Sequence, residues 1–196
     1  MQMKQSTTGR AALEYYLRKN FYKTASLMGH SCLSAAVLAG SSEELKRACY
    51  LYGTYMGQAF QLIDDALDFE GKAKVYYALQ FFKPNQSIIF PSSIGSTSSL
   101  GKAPLADLKS GLATAPTLFA AEQYPKLLSL INRKFETPGD VDEALALVRK
   151  SDGLQRCKDL AQVHAEKAIE AIEVLGPSIA RDALVALACK VVTRNH

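Results

Sequence analysis

Tryptophan is absent from this sequence, and histidine and cysteine are scarce: three and four in 196 residues. The histidines, at 30, 164 and 196, lie too far apart to suggest a zinc site. The cysteines, at 32, 49, 157 and 189, have neither metal-ligand spacing nor the density of a disulfide framework, so four reduced, buried thiols are expected. No apolar run reaches the length of a membrane-spanning helix. The opening MQMKQSTTGR has no apolar core and is too short for a transit peptide. Charge of one sign is lacking too. Lys plus Arg number 23 and Asp plus Glu 19, a net +4 spread along the chain, without the clustered basic stripe of a nucleic-acid binder or an acidic tail. What is abundant is apolar surface. The hydrophobic fraction of 48% excludes global disorder and supplies a sizeable core for one soluble, intracellular domain.

The periodicity is helical almost throughout. Residues 10–38 place Leu13, Leu17, Phe21, Ala25 and Met28 near a 3.6-residue period, with a bend expected at Gly29 and a C-cap at Gly40. Ser41 and Glu44 form an S-x-x-E capping box ahead of a helix to about Phe69, along which Leu45, Cys49, Tyr52, Met56, Ala59, Phe60, Ile63 and Leu67 recur at spacings of three and four. At ~1.5 Å per residue that helix is roughly 40 Å long, a length typical of large bundles. Residues 72–104 have no sustained period and hold three of the seven prolines, so they read as a loop. Helices are then predicted over residues 116–123 with Pro116 in the first turn, 126–135, 140–150 capped by Asp140 and stopped by Gly153, 154–175, and 181–192. There is neither an internal repeat nor a second domain.

The informative stretch is FQLIDDALDF at 60–69. On a helix Gln61, Asp64, Asp65 and Asp68 share one face, at i, i+3, i+4 and i+7, beside an apolar face of Phe60, Ile63 and Leu67. Three carboxylates on neighbouring turns repel one another, and no Lys or Arg within a turn neutralises them. A solvated acidic patch is the plain alternative. The setting, at the end of a strongly apolar helix, favours a hard divalent cation such as Mg²⁺, which takes one or two carboxylates, several waters and substrate phosphate oxygens. Two further elements are weaker alone. Lys23 and Thr24 precede a nearly uncharged run to Gly40, where a lysine either snorkels or faces an anion. Gly101-Lys102, with Asp107 and Lys109 following, offers an ammonium on a flexible segment.

Together, YKTASL at 22–27, GQAFQLIDDALDF at 57–69 and LGKAPLADLKSGLATAP at 100–116 resemble the trans-polyprenyl diphosphate synthases. The segments LFAAEQYP, GDVDEAL, SDGLQRCKDLA and VVTRNH, and Leu112 where many bacterial relatives carry lysine, are similar to the long-chain subgroup that makes ubiquinone and plastoquinone side chains. The resemblance implies an all-α helical bundle of the isoprenoid synthase type and Mg²⁺-dependent head-to-tail condensation of an allylic diphosphate with isopentenyl diphosphate. It implies Asp64, Asp65 and Asp68 as metal ligands, Lys23 and Lys102 on the allylic diphosphate, and Thr24 and Gln61 beside the developing cation. It also implies a homo- or hetero-oligomer in mitochondrion or plastid.

The family pattern is departed from twice. Its first aspartate-rich motif and upstream helices have no counterpart here, which makes the chain read as a C-terminal portion, inactive in isolation. And residues 72–95 are an insertion, expected to be a loosely attached, removable loop whose Tyr76, Tyr77, Phe81 and Phe82 either pack over the open cavity mouth or form an exposed patch prone to association. A non-catalytic subunit that binds and modulates a complete synthase is the alternative function.

Overall fold

The apolar periodicities fold into helices that converge on one long central rod. In the computed structural model, residues 9–70 and 105–194 are described. Lys102 and the 72–95 insertion, with the expectations attached to them, lie outside the described residues.

α1 (Gly9–Asn20) continues through a π-helical turn (Phe21–Ala25) into α2 (Ser26–Leu38). Asn20 and Ser26 both keep right-handed helical dihedrals, and the Ser26 N–H bonds back to the Phe21 carbonyl, five residues earlier. The expected single helix is therefore interrupted by a widened turn rather than bent at Gly29. Gly29 serves close packing instead: a Cβ there would lie 2.4 Å from Thr54 Oγ1. α2 ends as the sequence predicts. Gly40 takes φ +65°, its N–H reaches the Val37 carbonyl and that of Ser41 reaches Ala36, a Schellman arrangement.

α3 (Glu43–Glu70) is the central rod. Its cap is Ser42, whose Oγ accepts from the Leu45 N–H at 3.2 Å, not the predicted Ser41–Glu44 box. α4 (Ala106–Lys109), α5 (Ala115–Gln123), α6 (Lys126–Asn132), α7 (Asp140–Lys150), α8 (Gly153–Ala171) and α9 (Ile179–Thr193) follow. Several further boundaries differ from the sequence reading. α6 stops at Asn132 because Lys134 and Phe135 take positive φ. Asp140 is the first residue of α7 rather than its cap, and its carboxylate takes two hydrogen bonds from the Arg133 guanidinium, 2.7 and 2.5 Å. Gly153 opens α8 rather than closing α7; a Cβ there would lie 2.4 Å from the Pro116 carbonyl, so its bareness lets α8 meet α5. α8 itself ends at Ala171, and residues 172–174 form a turn.

α3 packs on the α2 rod along one side and on α8 along the other, while α9 bridges α8 and α3. Alanines at 161, 165 and 168 give α8 a flat buried stripe against α3. The middle of α3 buries Leu62, Ile63, Ala66 and Leu67 with Ala12 and Tyr16 of α1 and Phe119 of α5. At its C-terminal end Phe69 packs with Leu108, Leu127, Leu130 and Val148. All four thiols are free, but only Cys157 is buried; Cys32 and Cys49 are half-buried and Cys189 is exposed. Among the described residues no helix is long and apolar enough to cross a membrane.

Candidate functional site

The π-turn and the second half of α3 touch where glycine removes the side chain between them. A Cβ at Gly57 would lie 2.5 Å from Ala25 Cα, and one at Gly53 would lie 2.5 Å from the Met28 carbonyl. This contact brings the two motif segments into register. Thr24 Oγ1 donates to Gln61 Oε1 at 3.1 Å, across 37 residues of sequence. Lys23, next to it on the widened turn, is exposed and makes no ion pair among the described residues. π-turns inside α-helices are frequent at functional sites, because the extra residue re-aims neighbouring side chains.

The three aspartates share a helical face as the spacing requires, yet meet different surroundings. Asp64 is half-buried, and no hydrogen bond or ion pair to it is found among the described residues. Asp65 is buried. The Tyr16 hydroxyl donates to its Oδ2, and Gln61 Nε2 donates to its Oδ1 at 2.9 Å. Asp68 is buried too, and its two carboxylate oxygens accept from the backbone N–H groups of Ala106 and Asp107, each at 3.3 Å. The Leu105 N–H reaches the Asp68 carbonyl at 3.3 Å. Asp68 thereby ties α3 to the start of α4, where Leu105 holds φ +60°. The charge repulsion inferred from the sequence is thus relieved for two of the three by hydrogen bonds from the protein itself. Tyr16 was invisible as a site residue in the sequence, because its partner lies 49 positions away.

Burial, the largest cause, pushes the Asp65 carboxyl up to about 6, and Asp107 and Asp64 push the same way against the lowering effect of the Tyr16 and Gln61 hydrogen bonds. Burial first, then the Asp65 charge, drives the Tyr16 hydroxyl well above its ordinary value, so it remains a donor. An aspartate in the unfolded chain titrates near ~3.9. The folded chain therefore holds the Asp65 proton more tightly than the unfolded chain does. Ionising Asp65 costs stability above about 6, and that cost disappears as pH falls through this value toward the unfolded one. Its full size is about 3 kcal/mol. Urea unfolding in chelator-treated buffer should show wild type gaining about 2–3 kcal/mol on Asp65→Asn between about pH 8 and about pH 4. A stability difference independent of pH would show that Asp65 is not desolvated.

A metal fits part of this arrangement. Carboxylate oxygens are the right donors for Mg²⁺, which retains several waters and needs only one or two of them. Asp64 is open to such a role, with Asp65 behind it contributing charge. Among the described residues no group of three or more His, Cys, Asp or Glu side chains is arranged to hold an ion. A hydrated ion on Asp64, completed by ligand oxygens, fits this geometry; a closed three-carboxylate cage does not.

The comparisons with known proteins bear on these same segments. The family model described as Polyprenyl synthetase matches residues 1–77, the span that holds Lys23, Thr24, Gln61 and the three aspartates. The chain belongs to the polyprenyl synthetase family. It is 38% identical over 201 residues to a mitochondrial solanesyl-diphosphate synthase 1 of rice, matching 100% of this chain and 41% of that protein. The apo form of an Arabidopsis medium/long-chain length prenyl pyrophosphate synthase superposes with a TM-score of 0.76 at 38% identity, over 98% of this chain and 58% of that one. A polyprenyl synthase from Caulobacter crescentus, solved with calcium and isoprenyl diphosphate, gives a TM-score of 0.74 at 30% identity, over 100% of this chain and 54% of that one. This polyprenyl synthetase chain therefore spans less than two thirds of the length of each of these relatives, and the all-α isoprenoid synthase architecture expected from the sequence is the one found.

Proposed function

We propose that this chain is part of a long-chain polyprenyl diphosphate synthase, binding an allylic diphosphate with Mg²⁺ for head-to-tail condensation with isopentenyl diphosphate. The observation that carries the reading is the Thr24–Gln61 hydrogen bond, which joins the lysine-bearing motif to the carboxylate motif. The Caulobacter relative, with calcium and isoprenyl diphosphate bound, supports a divalent cation and a diphosphate ligand here. The rice relative supports a mitochondrial setting.

In this reading Asp64 holds the ion, with Asp65 and Asp68 fixing the end of α3 from within. Mg²⁺, when bound, neutralises negative charge that accumulates on the departing diphosphate. Lys23, exposed and without an ion pair among the described residues, supplies a mobile ammonium to the same anion. Lys102 is proposed to act likewise. Thr24 and Gln61 turn oxygen atoms toward positive charge developing on the allylic fragment. A positioned oxygen acts there without reorganising, which is how such groups favour a transition state over a ground state.

Calorimetry with farnesyl diphosphate, farnesol and Mg²⁺ tests the reading. The chain should bind the diphosphate only with Mg²⁺ present, and should not bind the alcohol. Mg²⁺-independent binding, or none to the diphosphate, overturns it.

A further inference from the structure

Proton accounting around Asp65 fixes the direction of a chain of hydrogen bonds. A carboxylate has only acceptor atoms, whereas an amide has a donor end and an acceptor end. The Tyr16 hydroxyl donates to Asp65 Oδ2, and Gln61 must turn its NH₂ group to Oδ1, at 2.9 Å. The Gln61 carbonyl then points the other way and takes the only hydroxyl proton of Thr24, at 3.1 Å. Thr24 is left with nothing but lone pairs for a ligand. The relay runs across α1, the π-turn and α3, and its two inner members, Tyr16 and Asp65, are among the most buried polar groups of the middle core. A buried network with every member satisfied holds one arrangement, because reversing Gln61 would set its carbonyl oxygen against the Asp65 carboxylate, acceptor facing acceptor.

We infer that Tyr16 and Asp65 are positioning residues that set the polarity of this relay, orienting Gln61 so that Thr24 presents only acceptor lone pairs. The inference rests on the proposed function, in which Thr24 meets positive charge. An all-acceptor oxygen favours a cation over a neutral fragment of the same shape. If Asp65 is replaced by an amide, both orientations of Gln61 become compatible with its neighbours. If the Tyr16 hydroxyl is removed, Oδ2 loses its donor and the carboxylate is free to turn.

Two readouts on the chain, as wild type, Tyr16→Phe and Asp65→Asn, decide the matter. The first needs no ligand: hydrogen exchange of the Gln61 side-chain amide, followed by NMR. It should be slow in wild type and about 10-fold faster in both variants, with the backbone amides of α3 still protected. Exchange within about twofold of wild type in both variants overturns the relay. The second readout is the binding of a tertiary ammonium analogue of an allylic fragment, and of its neutral carbon isostere, each with Mg²⁺ and pyrophosphate. Wild type should prefer the ammonium by about 10-fold, and each variant should lose that preference, with pyrophosphate affinity in Tyr16→Phe changing less than about twofold. A merely structural role for Tyr16 would lower both affinities together, which overturns the positioning role. Wild type that binds pyrophosphate without preferring the ammonium overturns the lone-pair assignment. Wild type that binds no pyrophosphate overturns the proposed function, while the amide exchange still decides whether Tyr16 holds the relay.

Discussion

Asp64→Ala should weaken Mg²⁺-dependent pyrophosphate binding by about 10- to 100-fold and leave the fold intact. The magnitude follows from losing one charged contact, worth about 1.5–3 kcal/mol, at tenfold per ~1.4 kcal/mol. Asp64 is the half-buried member of the trio, and no internal hydrogen bond to it is found among the described residues. Removing it therefore leaves no buried donor unsatisfied. Asp68→Ala has the opposite profile. It strips the acceptors from the Ala106 and Asp107 N–H groups, so its unfolding midpoint should fall first, with binding lost only as α4 detaches from α3. Calorimetry and urea unfolding on both variants separate the two effects. Equal binding by wild type and Asp64→Ala would show that the ion is held elsewhere.

The largest effect on the fold is expected at Gly57. Gly57→Val should destabilise the protein by about 3 kcal/mol or more, at the upper end for overpacking. Replacing a mid-helix glycine ordinarily gains up to ~1 kcal/mol of helix propensity. Here the new Cβ would lie 2.5 Å from Ala25 Cα and 2.9 Å from Ala25 Cβ. The obstacle is backbone and a methyl anchored to it, so no rotamer change relieves the clash, and α3 must move off the π-turn. Lys23 on the π-turn and Asp64 on α3 part with it, so Mg²⁺-dependent pyrophosphate binding should fail at temperatures where the variant remains folded. Gly176→Ala is the control: nothing lies within 4 Å of its Cβ, and the change should stay within about 0.5 kcal/mol. Unfolding midpoints of the two variants against wild type provide the check. Wild-type stability in Gly57→Val would mean that the rods pack less closely than their glycines indicate.

Local physics made most of the helices legible in the sequence. The 3.6-residue recurrence of Leu45, Cys49, Tyr52 and Met56 announces α3, and Gly40 and Pro116 mark the helix ends they were expected to mark. The spacing of Gln61, Asp64, Asp65 and Asp68 puts them on one face whatever surrounds them, because that follows from helix geometry alone. The carboxylate motif, taken with YKTASL at 22–27 and LGKAPLADLKSGLATAP at 100–116, was likewise enough to point to the family.

What the spacing cannot contain is the neighbour across a packed interface. Three equivalent aspartates in the sequence became one half-buried carboxylate, one tied to Tyr16 and Gln61, and one capping the chain at Ala106 and Asp107. The partners across the interface, Tyr16, Ala106 and Asp107, lie 49 residues before and 38 and 39 residues after their aspartates. The π-turn was hidden for a related reason. Residues 21–25 carry the same apolar recurrence as an α-helix, and the widened turn is visible only in the Ser26-to-Phe21 hydrogen bond and in the fit of Ala25 against Gly57. Gly29 invited a local explanation, a bend, when its bareness serves contact with Thr54 on another helix. The sequence by itself determined where most of the helices run and which residues carry charge on a shared face. Tertiary structure alone decided which of those charges are buried, paired or free, because hydrogen-bond partners and desolvation belong to the packed interior and not to the chain.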